Sequence, residues 1–189
     1  SGYDPEKREQ AKVWLRNVVI MIILVQASFF MYELAIELSS VLTTATLSLI
    51  DNEFFLLTFN NLGDIGLSLI FLIVYLATLL LTSLILIIRY VFVAIGVVLF
   101  PVAIFLYFIP VLRQYGSLIL NFLGVCIFVT FFDAIILIGF SKLLNVGIFA
   151  NFKILVMVAA FLVINLIMAF LMLFSIVKGA LSIYQKFKQ

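Results

Sequence analysis

GLSLIFLIVYLATLLLTSLILIIRYVFVAIGVVLFPVAIFLYFIPVLR, residues 66–113, decides how this chain is read. A transmembrane helix takes about 20 apolar residues. This run is more than twice as long, and only Arg89, Pro101 and Pro110 interrupt it. Two crossings joined by a turn account for such a length. An arginine costs about 3 kcal/mol or more at the bilayer centre and far less at its edge, so the turn is expected at Arg89. Pro101 and Pro110 withhold backbone donors and kink helices, so the second limb is expected to be bent and covered by neighbouring protein. The run reads as a proline-kinked central hairpin.

Working outward, 67% of the 189 residues are hydrophobic and 11% charged, with a mean hydropathy of +1.38. Soluble domains average about 45–50% apolar and about 25% charged. The fold class that follows is all-α: a polytopic transmembrane helical bundle of about five membrane segments, occupying residues 1–189 as one membrane domain. Its parts are a charged juxtamembrane helix (1–16), a first span with an amphipathic extension (17–46) and an acidic loop (47–65). The hairpin (66–113), a span at 116–139, a span at 154–177 and a basic tail (178–189) follow. The chain begins at Ser1 rather than Met, so either a processed precursor or a piece of a longer protein is expected.

Charge places the ends in two ways. With five crossings and the N-terminus inside, Arg113 and the tail lysines Lys178, Lys186 and Lys188 fall outside. With four crossings and a re-entrant 91–112 limb, only Lys142 and Lys153 do, which suits the positive-inside rule better. The length of the 91–112 limb favours a full crossing, and five crossings is the expectation. The 47–65 loop lacks Lys and Arg and faces away from the cytoplasm in either case.

Several polar residues within the apolar segments are candidate pore or helix-interface groups. Gln26, Phe30, Glu33, Glu37, Ser40 and Thr44 recur at spacings of three and four, which puts them on one face of the first helix. Glu33 and Glu37 either face a wet cavity or an oligomeric pore, or lie at the interface on a tilted helix. Asp133, about 9 Å from the end of its span, needs water or a cation, and Arg89 is the expected partner. Asn121 and Asn165 are expected to form interhelical hydrogen bonds. A relay through Asp133, Asn165 and Glu33 is the sharper alternative.

Nothing points to catalysis. The chain has no His, a single cysteine (Cys126), no phosphate-binding glycine loop and no metal-ligand spacing, so no cofactor is expected. A net charge of +2 is too small for a dedicated nucleic-acid face.

Two stretches carry a resemblance. Arg89 at a helix end, an apolar stretch to Pro101, then Pro110 and the polar break Arg113-Gln114-Tyr115-Gly116 look like the central block of the TrbL family. The opening Asp4-Pro5-x-x-Arg8-x-x-Ala11-Lys12 is similar to the segment before a membrane span in conjugation-system subunits. TrbL-type proteins are polytopic inner-membrane subunits of type IV secretion and conjugation machines, with related proteins in archaeal DNA transfer. The resemblance implies a multi-pass protein of the cytoplasmic membrane that forms a homo-oligomeric channel or platform. It also implies contacts with membrane lipid, a pilin-like subunit and motor ATPases, with DNA met only indirectly. A small transporter or ion channel, and a non-conducting scaffold, are the competing classes.

Overall fold

A computed structural model of the protein describes residues 5–55, 65–150 and 152–187. Among these residues every regular element is helical: α1 (Pro5–Leu47), a 3-10 turn (Asn52–Phe55), α2 (Ile65–Phe108), α3 (Arg113–Leu143), α4 (Gly147–Ala150) and α5 (Lys153–Phe187). Four of them, α1, α2, α3 and α5, are long and apolar enough to cross a membrane. The count among the described residues is therefore four, not five.

The difference lies in the 66–113 run. Arg89 is not a turn: α2 passes through it and through Pro101 as one helix, about 66 Å long at ~1.5 Å per residue. From Ser83 to Ile95 the backbone holds neither Gly nor Pro, so nothing local stops the helix. The chain turns instead at Pro110, the other proline, in the short link between α2 and α3. There Ile109 N–H donates to Leu106 O (3.2 Å), and Leu112 N–H donates to Ile109 O (3.0 Å). The hairpin is thus made by α2 and α3, and Pro101 sits inside one of its limbs.

The other boundaries merge similarly. Juxtamembrane helix and first span are one helix, α1, with Pro5 as its first residue, a position where a missing N–H costs nothing. The basic tail continues α5 as far as Phe187. In the acidic loop, Phe54 is buried against Ile50 and Ile154 while Phe55 is exposed. The remainder, residues 56–64, lies outside the described residues, as does the N-cap role expected of Asp4.

Helices α2 and α3 run antiparallel: Arg89 meets Cys126, and Tyr107 meets Gly116. Helices α2 and α3 each pack against the three other long helices, and α3, with the more extensive packing, is the hub of the bundle. One apolar core lies between α2, α3 and α5 around Tyr75, Val129, Met157, Phe161 and Met168. A smaller one joins α1 to the hairpin through Tyr32, Leu123 and Ile127. In lipid, apolar surface gains little by leaving hydrocarbon for a helix interface, so small residues and hydrogen bonds must bring helices together. Gly116 does so beside the turn, where a Cβ would stand 2.5 Å from Ala103 O and Tyr107 N. Gly96 does so for α1, since a Cβ there would overlap the Tyr32 hydroxyl, which donates to Val93 O at 2.7 Å.

This up-down-up-down arrangement sorts the charges. Arg8, Lys12 and Arg16 of α1, Arg113 of α3 and Lys178 of α5 share one end of the bundle. Lys142 and Lys153 share the other, where Lys142 Nζ lies 3.5 Å from Asp51 Oδ2. The asymmetry matches the four-crossing alternative without any re-entrant segment.

Close approach at Gly116 is testable. Gly116→Val is expected to destabilise the bundle by about 1–3 kcal/mol through overpacking, read as a lower midpoint in thermal unfolding in detergent. Gly139→Ala, where an added Cβ meets nothing within 4 Å, is expected to leave the midpoint unchanged or raise it.

Candidate functional site

Arg89 lies near the middle of α2, and its guanidinium turns sideways onto α3. Its Nε donates to Cys126 O (2.5 Å) and its Nη2 to Ile127 O (3.0 Å). The Ile127 carbonyl also accepts the hydroxyl of Ser39 from α1, at 2.7 Å. Three helices therefore meet at one carbonyl. Ile127 is about 21 Å along α3 from Arg113 at ~1.5 Å per residue, close to that helix's midpoint. The planar fork of arginine suits two successive carbonyls in a way the point charge of lysine does not. Charge-assisted bonds of this kind contribute about 1.5–3 kcal/mol each, which offsets the penalty that argued for placing Arg89 at a turn.

Asp133 and Arg89 are close enough for their charges to interact, yet the expected ion pair does not form. Nε and Nη2 of the guanidinium face carbonyls, and neither carboxylate oxygen of the buried Asp133 has a hydrogen-bond partner. Arg89 joins α2 to α3 through the α3 backbone rather than through Asp133. Asn165 forms the interhelical bond expected of it: its Nδ2 donates to Thr78 O of α2 at 3.4 Å, while its Oδ1 is unpartnered. Thr78 O also accepts from Thr82 Oγ1 at 2.8 Å. Asn121 behaves otherwise, with its Nδ2 3.5 Å from Ser117 Oγ on its own helix. The bundle interior thus holds a polar layer whose acceptor capacity is only partly used.

The α1 stripe faces the other way. Helix α1 packs on its neighbours through Ser28, Tyr32 and Ser39, all buried, whereas Gln26, Glu33, Glu37, Ser40 and Thr44 are exposed. Asp133 and Asn165 are buried, whereas Glu33 is exposed. Tyr32 packs with Leu123, and Ser39 bonds Ile127. Glu33 and Glu37 therefore sit between levels about 15 and 21 Å from the Arg113 end of α3, near the middle of the bundle. A crevice of about 300 Å³ opens beside the stripe, with Ser40, Thr43 and Thr44 on its α1 wall, Arg89 and Tyr90 on α2, and Thr130 on α3. Its lining joins Arg89 to Ser40 and Thr44 of the stripe.

Sequence reading missed Ser39, Tyr32 and Thr78. Each bonds to or offers a backbone carbonyl, and carbonyls leave no trace in residue identity. The one available signal was Ser39 among buried positions spaced three and four apart. Among the described residues no three His, Cys, Asp or Glu side chains could together hold a metal ion. Comparison with protein-family models, curated proteins and solved structures finds no match.

The shared carbonyl gives a testable non-additivity. Ser39→Ala is expected to cost about 1 kcal/mol and Arg89→Lys about 1–3 kcal/mol of stability. The double variant should differ from their sum by about 0.5 kcal/mol or more, because both act on Ile127 O. Thermal unfolding of the four proteins in one detergent measures the cycle.

Proposed function

We propose that this chain is the repeating subunit of an oligomeric membrane channel or platform, with the exposed α1 stripe turned toward a water-filled axis. The observation that carries the reading is the pair of outward-facing carboxylates, Glu33 and Glu37, at mid-bundle depth. An acidic side chain at the bilayer centre costs about 2.5–3.5 kcal/mol even on permissive scales, and such groups face bundle interiors or water-filled cavities. This pair faces neither within its own bundle. Association of several copies around the stripe supplies the missing environment, and the crevice leading to Arg89 then opens onto the same aqueous space.

The sequence resemblance extends the proposal to a type IV secretion-like or conjugative machine of the cytoplasmic membrane. In such a machine this subunit would form the translocation or pilus-assembly core beside a pilin-like protein and motor ATPases. The basic end, bearing Arg8, Lys12, Arg16, Arg113 and Lys178, is the cytoplasmic one by the positive-inside rule, with both end helices directed there. A second reading, a small transporter, draws on the buried Asp133 and Asn165 with their unpartnered oxygens.

Thiol labelling tests the aqueous axis. In a Cys126→Ala background, Glu37→Cys is expected to react with a charged, membrane-impermeant thiol reagent in membranes. Leu38→Cys, also exposed (49%) but on a different face, should stay unmodified. Equal protection of both positions contradicts the channel reading. Native mass measurement of the purified protein is expected to give a ring-sized homo-oligomer. A monomer that carries ions unaided across liposomes supports the transporter instead.

A further inference from the structure

The basic end of the bundle contains a second crevice, independent of the α1 stripe. It lies between the first half of α3 and the second half of α5 and has a volume of about 670 Å³, within the usual range for small-molecule sites of about 300–1,000 Å³. Its lining changes character with depth. Arg113, Gln114, Lys178 and Ser182 stand nearest the helix ends, whereas Val125 and Leu171 stand deepest, on the two facing helices. Among the described residues no carboxylate lines it.

Arg113 is held in place for a ligand. Its guanidinium lies over the Tyr107 ring, 4.8 Å from the centroid, and its Nη2 donates to Tyr107 Oη at 3.0 Å. The remaining N–H groups of its fork are left for another acceptor. Helix α3 starts at this point with no side-chain cap from Leu112, so the positive end of a 31-residue helix adds to the two cations. Further in, Ser175 keeps a buried hydroxyl without a partner on the wall of the crevice.

We propose that this crevice binds one anionic phospholipid. The phosphate is held by Arg113 and Lys178, polar headgroup atoms by Gln114 and Ser182, and an acyl chain lies along Val125 and Leu171. The ordering of cations at the helix ends and apolar side chains deeper matches the order of headgroup and chain in a leaflet. Basic pockets between transmembrane helices at the cytoplasmic side recognise acidic headgroups in this manner. A free phosphate would use the cations and leave the apolar floor empty, which separates the two sources by experiment.

The full-length protein in detergent is titrated with dioctanoyl phosphatidylglycerol, dioctanoyl phosphatidylcholine and inorganic phosphate, with the thermal midpoint as readout. Phosphatidylglycerol is expected to raise the midpoint saturably, phosphatidylcholine and phosphate at the same concentrations much less. The Arg113→Gln/Lys178→Gln variant should need at least tenfold more phosphatidylglycerol. Lys178→Glu alone, a change at an exposed position that the lipid-free fold tolerates, should weaken binding in the same direction. Equal shifts with phosphatidylcholine, or full retention of the shift in Lys178→Glu, overturn the proposal. A phosphate response equal to that of phosphatidylglycerol overturns the lipid and leaves a free-anion site.

Discussion

The carbonyl of Ile127 is where this bundle is tied together. Arg89 reaches it from α2 and Ser39 from α1, while Arg89 also takes the carbonyl of Cys126 next to it. In water such bonds compete with solvent and add little. At mid-bundle depth, with hydrocarbon as the alternative, an unpaired guanidinium would expel the helix from its position. The depth of α2, the length of its passage and the placement of α1 all follow from keeping that charge bonded. Tyr32 to Val93 O and Asn165 to Thr78 O repeat the device at other levels, so each non-hub helix is joined to a neighbour's backbone. Gly96 and Gly116 supply the proximity these bonds need.

Two polar systems face opposite ways and lie at different levels of the bundle. Asp133 and Asn165 look inward and are nearly sealed. Glu33 and Glu37 look outward from α1, beside a crevice that leads back to Arg89. An inward system can be satisfied within one subunit. An outward one meets water, lipid or another chain, and the assembly proposed above would supply such surroundings along α1. The basic crevice near the α2–α3 turn belongs to neither system, and its polarity gradient follows the leaflet instead.

Membrane embedding and all-helical structure were legible in composition alone, and the α1 stripe in its three-and-four spacing. The crossing count was not. Residues 66–113 were divided at Arg89 because a lone charge was weighed against bare hydrocarbon, while its partners were main-chain atoms of a helix 37 residues further on. Main-chain acceptors have no sequence signature. Of the two prolines in that run, residue identity offered no way to tell that Pro110 would carry the turn and Pro101 would be absorbed. Asp133 was recognisable as a buried acid, but charge sign alone points it to Arg89, whose Nε and Nη2 bond to carbonyls instead. The wall of the basic crevice was visible only as a polar break at Arg113–Gly116, since its other half comes from α5.

The single passage of α2 past Arg89 is the claim on which the rest depends, and side-specific labelling tests it directly. Cysteines replace Val111, in the α2–α3 link, and Asp51, before α2, in a Cys126→Ala background, and both positions are exposed. An impermeant thiol reagent is then applied to sealed vesicles of each orientation. One crossing predicts that the two positions label from opposite sides, with Val111→Cys on the side of the α1 N-terminus. Labelling of both from the same side would mean that the chain turns back at Arg89, and would contradict a single passage.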